Sequence, residues 1–351
     1  MTDPQGFSSS SRALLVLAAI AIILRFVKFA APILAPVLLA VFIAIVSLPV
    51  LRWMTQHGVP KWIALAAILF VLFDFGSILA LLVTSGLEGF RENLPGYQQR
   101  VELLSQQLGT WLEAAGIEGS RAALPDMVDA RKVVTLVRAT LAGVGNTLGV
   151  GLLVLLTVAF VLAEASKLGP RIKKAFGASE SFQAKFDQVL ESLSQYMLIK
   201  IISSFATGLV VWVLLWALGI DFAALWAILA FVLNFVPFVG AILMMIPPVL
   251  LAIVQADLET ALLVAAGFIA ANTIIGNVLE PRFMGQGLGI STLTVFLSLI
   301  VWGWLLGTIG VFLSVPLTVV LIAMLDANES TRSLAVLLRT DTDEPETTED
   351  K

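Results

Sequence analysis

The sequence predicts an all-α, polytopic transmembrane protein with broken or re-entrant helices in its C-terminal half and an extracytoplasmic amphipathic helical segment. Hydrophobic residues make up 59% of the 351 residues, charged residues make up 13%, and the mean hydropathy is +0.98. A soluble protein of this length could not cover so much apolar surface. The apolar runs are continuous and do not alternate, which favours membrane-spanning helices over barrel strands.

Several classes of protein are excluded by composition. The chain has no cysteine and one histidine, His57, so it lacks the residues for a thiolate metal site or a histidine-based catalytic zinc site. No Gly-Lys dipeptide occurs, which excludes a P-loop nucleotide motor. No basic stretch is typical of nucleic-acid binding. We therefore expect a protein that is not an enzyme and needs no metal or cofactor.

Residues 1–87 are predicted to hold the first transmembrane spans. Apolar runs occupy residues 13–30 and 33–51, and prolines separate them. We expect an uncleaved helical hairpin that turns between Pro32 and Pro36. A third span is predicted from Trp62 to about Leu87.

Residues 88–138 form the one sizeable polar region and are predicted to be an amphipathic helical region outside the membrane. Apolar side chains recur there at spacings of 4, 3, 4 and 3, at Tyr97, Val101, Leu104, Leu108 and Trp111. Such a helix rests on a membrane surface, packs within its own chain or forms a subunit contact. The pattern leaves these alternatives open.

Residues 139–219 are predicted to contain a fourth span from about Leu141 to Ala163 and a fifth from Tyr196 to Leu218. A basic loop at 165–195 joins them, with Lys167, Arg171, Lys173, Lys174 and Lys185. The short loop at 52–61 is also basic. Since basic loops lie on the cytoplasmic side, both loops and both termini are expected there. Residues 326–351 are predicted to be a disordered acidic cytoplasmic tail.

Residues 220–325 are predicted to be a transport region of broken helices. Its apolar pieces are short and are interrupted by Pro247-Pro248, by Glu280-Pro281 and by the glycine-rich stretch 303–310. Pieces of about 15 residues are too short for a full crossing. Irregular backbone at membrane depth is tolerated where it lines a wet cavity, so these breaks indicate the solute path. The predicted helix breaks are Pro237, Gly240, Gly285, Gly287, Gly289, Gly303, Gly307 and Gly310.

Ionisable residues within apolar spans are candidates for function because burying a charge in lipid is costly. Asp74 lies near the middle of the third span and is a candidate for ion or proton coupling, the alternative being an acid satisfied by a neighbouring helix. Arg25, Lys28, Glu164 and Lys200 lie near predicted interfaces, where long side chains snorkel to water.

A denser polar group precedes the predicted break at Pro281. Thr273, Asn277 and Glu280 follow one another at positions i, i+4 and i+7, which places them on one face of an α-helix. Pro281 is expected to end that helix, and Arg282 follows. We expect these five residues, together with Asp74, to form a transport path. The alternatives are a hydrogen-bonded seam between helices and a permanent ion pair between Glu280 and Arg282.

The same region resembles the signature of the autoinducer-2 exporter family of bacterial transporters. The resemblance is carried by NVLEPRFMG at 277–285, GLGIS at 287–291, LIVWGWLLG at 299–307 and GVFLSVPLT at 310–318. FVPFVG at 235–240 and Pro36, Ala40 and Pro49 extend it, and it covers about residues 12–325. One departure is Thr292, where the family usually has proline.

The resemblance implies a bacterial inner-membrane transporter that forms a homo-oligomer, expected to be a pentamer, and displaces a domain with re-entrant elements. It implies export of a small polar solute such as autoinducer-2, with protons or sodium as possible coupling ions. Since other members are linked to sodium-proton exchange, a cation-proton antiporter remains an alternative. A passive channel or permease is a further one, because a wet pathway needs no coupling acid.

Overall fold

The computed structural model describes residues 9–114, 151–176, 180–284, 289–326 and 331–338. In these ranges the chain is helical apart from short turns and one extended stretch. The helices are α1 (Ser9–Gln56), α2 (Lys61–Ala114), α3 (Gly151–Phe176), α4 (Glu180–Ala217), α5 (Ala223–Leu233), α6 (Val239–Gln255), α7 (Leu258–Ala271), a π-helix (Asn272–Leu279), α8 (Glu280–Met284), α9 (Thr292–Leu306), α10 (Thr308–Phe312), α11 (Ser314–Asp326) and α12 (Arg332–Leu338).

Four stretches of the described chain are long and apolar enough to cross a membrane, namely Leu14–Gln56, Lys61–Asn93, Gln188–Ala217 and Leu258–Phe283. Shorter apolar helices accompany them, mostly in the C-terminal half. This composition agrees with the predicted all-helical, multi-pass membrane protein.

The predicted hairpin at Pro32 to Pro36 is wrong, because α1 runs without interruption from Ser9 to Gln56 and contains both prolines. A proline removes one backbone hydrogen bond, and membrane helices tolerate that loss where neighbours compensate. At 48 residues, α1 is about 72 Å long, more than twice the roughly 30 Å of a hydrocarbon core. An unbroken helix does not reverse direction, so α1 can provide at most one crossing where the sequence predicts two.

Three other segments differ from the predicted boundaries. Helix α2 continues from the third span into the polar region as far as Ala114, with Pro95 inside it; the rest of 88–138 and the start of the fourth span lie outside the described residues. The predicted basic connection at 165–195 is helical where it is described, since α3 reaches Phe176 and α4 begins at Glu180. Residues 332–338 of the predicted disordered tail form α12, whose Ala335 is fully buried.

The extension of α2 beyond the membrane span is attached to the turns of the C-terminal half. Tyr97 donates a 2.8 Å hydrogen bond to Asp221, and Arg100 donates to the carbonyl oxygen of Ala256 at 3.2 Å. Gln255 connects the same turns, since its Oε1 accepts from the Asp221 amide and its Nε2 donates to the carbonyl of Gly219. Burial and the neighbouring Asp221 raise the pKa of the Tyr97 phenol.

We expect Tyr97→Phe to lower the free energy of unfolding by about 1–2 kcal/mol, because it removes a hydrogen bond to a charged group. Thermal unfolding in detergent measures the loss, with the exposed Gln98→Ala as a control of similar position. The raised pKa means that the folded state holds its phenol proton more tightly, so this stabilisation is present below pH about 10 and is lost above it. Equal stability of the two variants would contradict the attachment.

Two apolar clusters meet along α4. The N-terminal cluster, named for the half of α4 that it contacts, contains Leu193 and Met197 of α4 with buried side chains of α1, α9, α10 and α11. The C-terminal cluster contains Val211 and Leu215 of α4 with side chains of α2, α5, α6 and α7. A third cluster joins α1, α2 and α3. The middle of α4 therefore lies between two separately packed groups of helices.

Short helices in the C-terminal half meet at close turns. Helices α5 and α6 are joined by residues 234–238, with Pro237 in the turn, and a Cβ on Gly240 would collide with the carbonyl of Leu233. Helix α9 ends at Leu306, the next residue Gly307 has a φ of 68°, and a Cβ on Gly310 would collide with the carbonyl of Trp302. The breaks at these two turns follow from backbone approaches that only glycine permits.

The remaining predicted breaks differ in outcome. Gly303 lies inside α9 and does not break it. A Cβ there would come within 2.8 Å of Val311, so glycine allows close packing at this position. Pro247 and Pro248 lie inside α6 and do not interrupt it. Gly289, with a φ of 62°, lies in the extended stretch before α9. Gly285 and Gly287 lie outside the described residues.

Candidate functional site

A buried ion pair joins α4 to the start of α8. The Nζ atom of Lys200 donates to both carboxylate oxygens of Glu280, at 2.8 and 3.1 Å. Ser203 adds a hydrogen bond of 3.2 Å to Glu280 Oε2. The relative exposure of Lys200 is 7% and that of Glu280 is 9%. Both charges are thus removed from solvent in the protomer and are held by each other.

The sequence of α4 places this pair at the junction of the two apolar clusters. Lys200, Ser203, Ser204 and Thr207 recur at spacings of 3, 1 and 3, which puts them on one face of α4. All four are buried. They lie between Met197, which belongs to the N-terminal cluster, and Val211, which belongs to the C-terminal one. The polar face of α4 therefore separates two apolar cores.

The polar face also reaches the turn between α5 and α6. Asn234 Nδ2 donates to Ser204 Oγ at 3.0 Å, and Asn234 is itself buried. Thr207 Oγ1 donates to the carbonyl of Ser203 at 2.9 Å. The ion pair and this amide-hydroxyl contact together form a continuous buried polar seam, consisting of Lys200, Ser203, Ser204, Thr207, Asn234 and Glu280.

A π-helix precedes Glu280 and explains how the chain passes Pro281. In an α-helix the proline ring would clash with the carbonyl of Asn277 and would leave it without a donor. Residues 272–279 instead form a π-helix, and the Glu280 amide donates to Ile275, five residues back. Hydrogen bonds of this kind widen the helix and are frequent at functional sites. The expected helix end at Pro281 is wrong, because the chain continues as α8 to Met284.

The π-helix also changes which residues share a face. Thr273 and Asn277 are exposed in the protomer, whereas Glu280 is buried. The predicted single stripe assumed α-helical spacing, and the wider turn removes that relation. Pro281 and Arg282 are exposed as well. Glu280 pairs with Lys200 in this structure and forms no ion pair with Arg282.

Asp74 lies away from the seam. Its side chain is exposed on α2 in the protomer, and within the described part of the chain it has no hydrogen-bond or ion-pair partner. Helix α2 contributes no side chain to the Lys200–Glu280 pair. The structure therefore does not bring Asp74 together with the other predicted path residues.

The interpretation of Lys200 as a snorkelling residue is wrong, because its ammonium group is buried. The signal that could have identified it is the row of polar residues on one face of an otherwise apolar span. Lys28, predicted to snorkel, has its Nζ 4.1 Å from the centre of the Trp304 ring, a cation-π contact between α1 and α9. Arg25 is exposed.

The chemistry available to the seam is that of charge and hydrogen bonding. Replacing a buried ion pair by apolar residues is often neutral or stabilising, so a buried pair between two candidate membrane spans indicates function more than stability. Glu280 can accept a proton or a donor from a solute, and Lys200 and the hydroxyls can donate. Among the described residues, no group of three or more His, Asp or Glu side chains could hold a metal ion.

Comparison with known proteins gives consistent matches along most of the chain. Residues 14–330 match the family model described as AI-2E family transporter. The chain is 37% identical over 338 residues to the AI-2 transport protein TqsA of Escherichia coli K12, covering 96% of this chain and 98% of that relative. It is 34% identical over 338 residues to the putative transport protein YhhT of the same organism, with 96% and 97% covered. A putative transport protein of Haemophilus influenzae is 37% identical over 334 residues, with 93% and 96% covered.

Proposed function

Since the chain belongs to the AI-2E family of transporters, we propose that it is a secondary transporter that exports a small polar solute such as autoinducer-2. A role in membrane transport follows from the family itself. The proposal of autoinducer-2 is supported by the relative TqsA, an AI-2 transport protein that is 37% identical to this chain over 338 residues. Neither these relatives nor any contact of the described residues supports sodium-proton antiport.

The observation that carries the proposal is the buried Lys200–Glu280 pair at the junction of two apolar clusters. A polar seam between two packed groups of helices is a surface along which one group can move against the other. When the pair separates, Lys200 and Glu280 need new partners, and a polar solute or water supplies them. The pair thus favours one conformation when the site is empty and another when it is occupied.

The proposed moving part contains the short helices that meet at close turns. Helices α5 and α6 contact the seam through Asn234, and α8 carries Glu280. All three helices therefore change their contacts with α4 when the pair opens. Displacement of a domain with re-entrant elements, the mechanism that the resemblance implies, fits these positions. Thr273, Asn277, Pro281 and Arg282 lie beside this part, and we propose that they line the path when it moves.

The proposal is tested by solute flux in proteoliposomes under an imposed proton or sodium gradient. A coupled transporter moves autoinducer-2 uphill only while a gradient is present. Downhill movement that ignores both gradients would instead indicate a channel or permease. Sodium movement against protons without solute would indicate antiport.

In the same flux assay, Asp74→Asn is expected to weaken the dependence of transport on the gradient, because it removes the charge proposed to couple the two. An unchanged dependence would remove Asp74 from the proposal.

We further propose a bacterial inner-membrane location and a homo-oligomer, with the pentamer implied by the resemblance. The basic turn at 52–61 and the C-terminal tail are proposed to be cytoplasmic. A cytoplasmic N-terminus requires two crossings before the cytoplasmic turn at residue 52. The unbroken α1 can supply only one.

The unbroken α1 leads to a specific topology prediction. Because the chain has no cysteine, single cysteines at Ser9 and His57 can be labelled by an impermeant thiol reagent without background. We expect the two positions to be labelled from opposite sides of the membrane. Labelling of both from the same side would mean that the chain reverses within residues 9–56 and would restore the hairpin.

A further inference from the structure

A cavity lies far along the chain from the seam, where α1 and α2 meet α3. Its volume is about 430 Å³, within the usual range for small-molecule sites. The wall includes the aliphatic side chains of Leu51, Val59 and Leu162. Two cations, Arg52 and Lys61, complete it, and the described residues that line it include no carboxylate. The cavity thus combines an apolar wall with positive charge.

The position of this cavity relative to the bilayer follows from the helices around it. One candidate span ends at Gln56 and the next begins at Lys61. We place the turn between them at a membrane surface, whichever side that is. On this placement the aliphatic side chains are level with the acyl chains, and the two cations are level with the lipid headgroups.

The two cations are held differently. Lys61 Nζ donates to the carbonyl of Ala163 at 2.9 Å, which ties the start of α2 to α3 and fixes the ammonium group at the cavity. Arg52 is exposed on the last turns of α1. A guanidinium presents a planar fork of donors that matches the oxygens of a phosphate. Arg52 is the side chain best placed to bind an anion here.

We propose that this cavity binds an anionic phospholipid, with its phosphate on Arg52 and Lys61 and an acyl chain along the aliphatic wall. Basic pockets between membrane helices bind acidic headgroups by this combination of charge and apolar contact. A free phosphate ion shares the headgroup chemistry but has no use for the aliphatic side chains. The lipid site is separate from the Lys200–Glu280 pair and does not depend on the transported solute.

The test measures lipid binding to the purified full-length protein in detergent by native mass spectrometry. Phosphatidylglycerol, phosphatidylcholine and inorganic phosphate serve as probes. We expect phosphatidylglycerol to bind more tightly than phosphatidylcholine, and Arg52→Ala to weaken that binding about fivefold to tenfold. Arg52→Lys keeps the charge and is expected to retain part of the phosphatidylglycerol binding. Arg91→Ala removes an exposed arginine from the opposite end of the α2 span and serves as the matched control.

Three results would overturn the proposal. Equal binding of both lipids by the unaltered protein would show that charge is not recognised. Equal weakening by Arg52→Ala and Arg91→Ala would show only a general effect of net charge. Competition by inorganic phosphate at concentrations similar to those of the lipid would indicate a simple anion site. If Arg52→Ala proves unstable, phosphatidylglycerol binding is compared between Arg52→Lys and Arg91→Lys. Weaker binding by Arg52→Lys alone supports the proposal, and equal binding by the two variants overturns it.

Discussion

Lys200→Met is expected to abolish transport and to lower the free energy of unfolding by about 3–5 kcal/mol, because it leaves the carboxylate of Glu280 buried without its partner. The double variant Lys200→Met, Glu280→Gln removes both charges. Its stability is expected to return close to that of the unaltered protein, since a buried ion pair contributes little net stability. Its flux is expected to stay at background. Thermal unfolding and proteoliposome flux, measured on the same preparations, separate the two effects.

The matched variants sharpen this result. Glu280→Gln alone is expected to abolish flux while the oligomer persists, because glutamine keeps the shape of the side chain but loses its charge. The charge swap Lys200→Glu, Glu280→Lys restores an ion pair in the opposite sense and is not expected to restore flux. Full flux in either the double variant or the swapped protein would show that the pair serves only to hold α4 and α8 together.

Gly240→Ala is expected to destabilise the protein by about 3 kcal/mol, the upper end of overpacking costs. The new Cβ would collide with the carbonyl oxygen of Leu233, and a backbone atom cannot rotate aside as a flexible side chain can. The turn between α5 and α6 must then open, which moves Asn234 away from Ser204. We therefore expect flux to fall together with stability, measured by thermal unfolding and by uptake assays.

Gly76→Ala is the control for this change. Gly76 lies inside α2, and a Cβ there would meet nothing within 4 Å. Alanine in a helix interior is more favourable than glycine by up to about 1 kcal/mol, so this variant is expected to match or exceed the unaltered protein. A Gly240→Ala protein as stable as Gly76→Ala would contradict the close turn.

The sequence predicts the helical class and the broken C-terminal half because hydropathy, proline and glycine are local signals. The turn at Pro237 and the end of α9 at Gly307 follow from such signals. The hairpin at Pro32 to Pro36 does not form because a proline weakens a helix without determining whether it ends. Packing of α1 against α2, α3 and α9 decides that outcome, and a local pattern contains no information about such packing.

The sequence identifies one member of the buried ion pair, whereas the identity of its partner depends on tertiary contacts. Glu280 was identified because an acid in an apolar span is costly. Its partner Lys200 is 80 residues away in the sequence, so no local spacing could join the two. The π-helix was not foreseen either, and it moves Thr273 and Asn277 off the face that carries Glu280.

Opening of the buried polar seam during transport can be measured with a single cysteine at Ser203 in this cysteine-free chain. Ser203 is buried beside Glu280. In proteoliposomes whose flux is retained, an impermeant thiol reagent is expected to label this cysteine from either side in turn as the gradient is reversed, and autoinducer-2 is expected to slow the labelling. A cysteine that transports normally yet stays unlabelled from both sides under every gradient would contradict this opening and would make the seam a fixed structural contact.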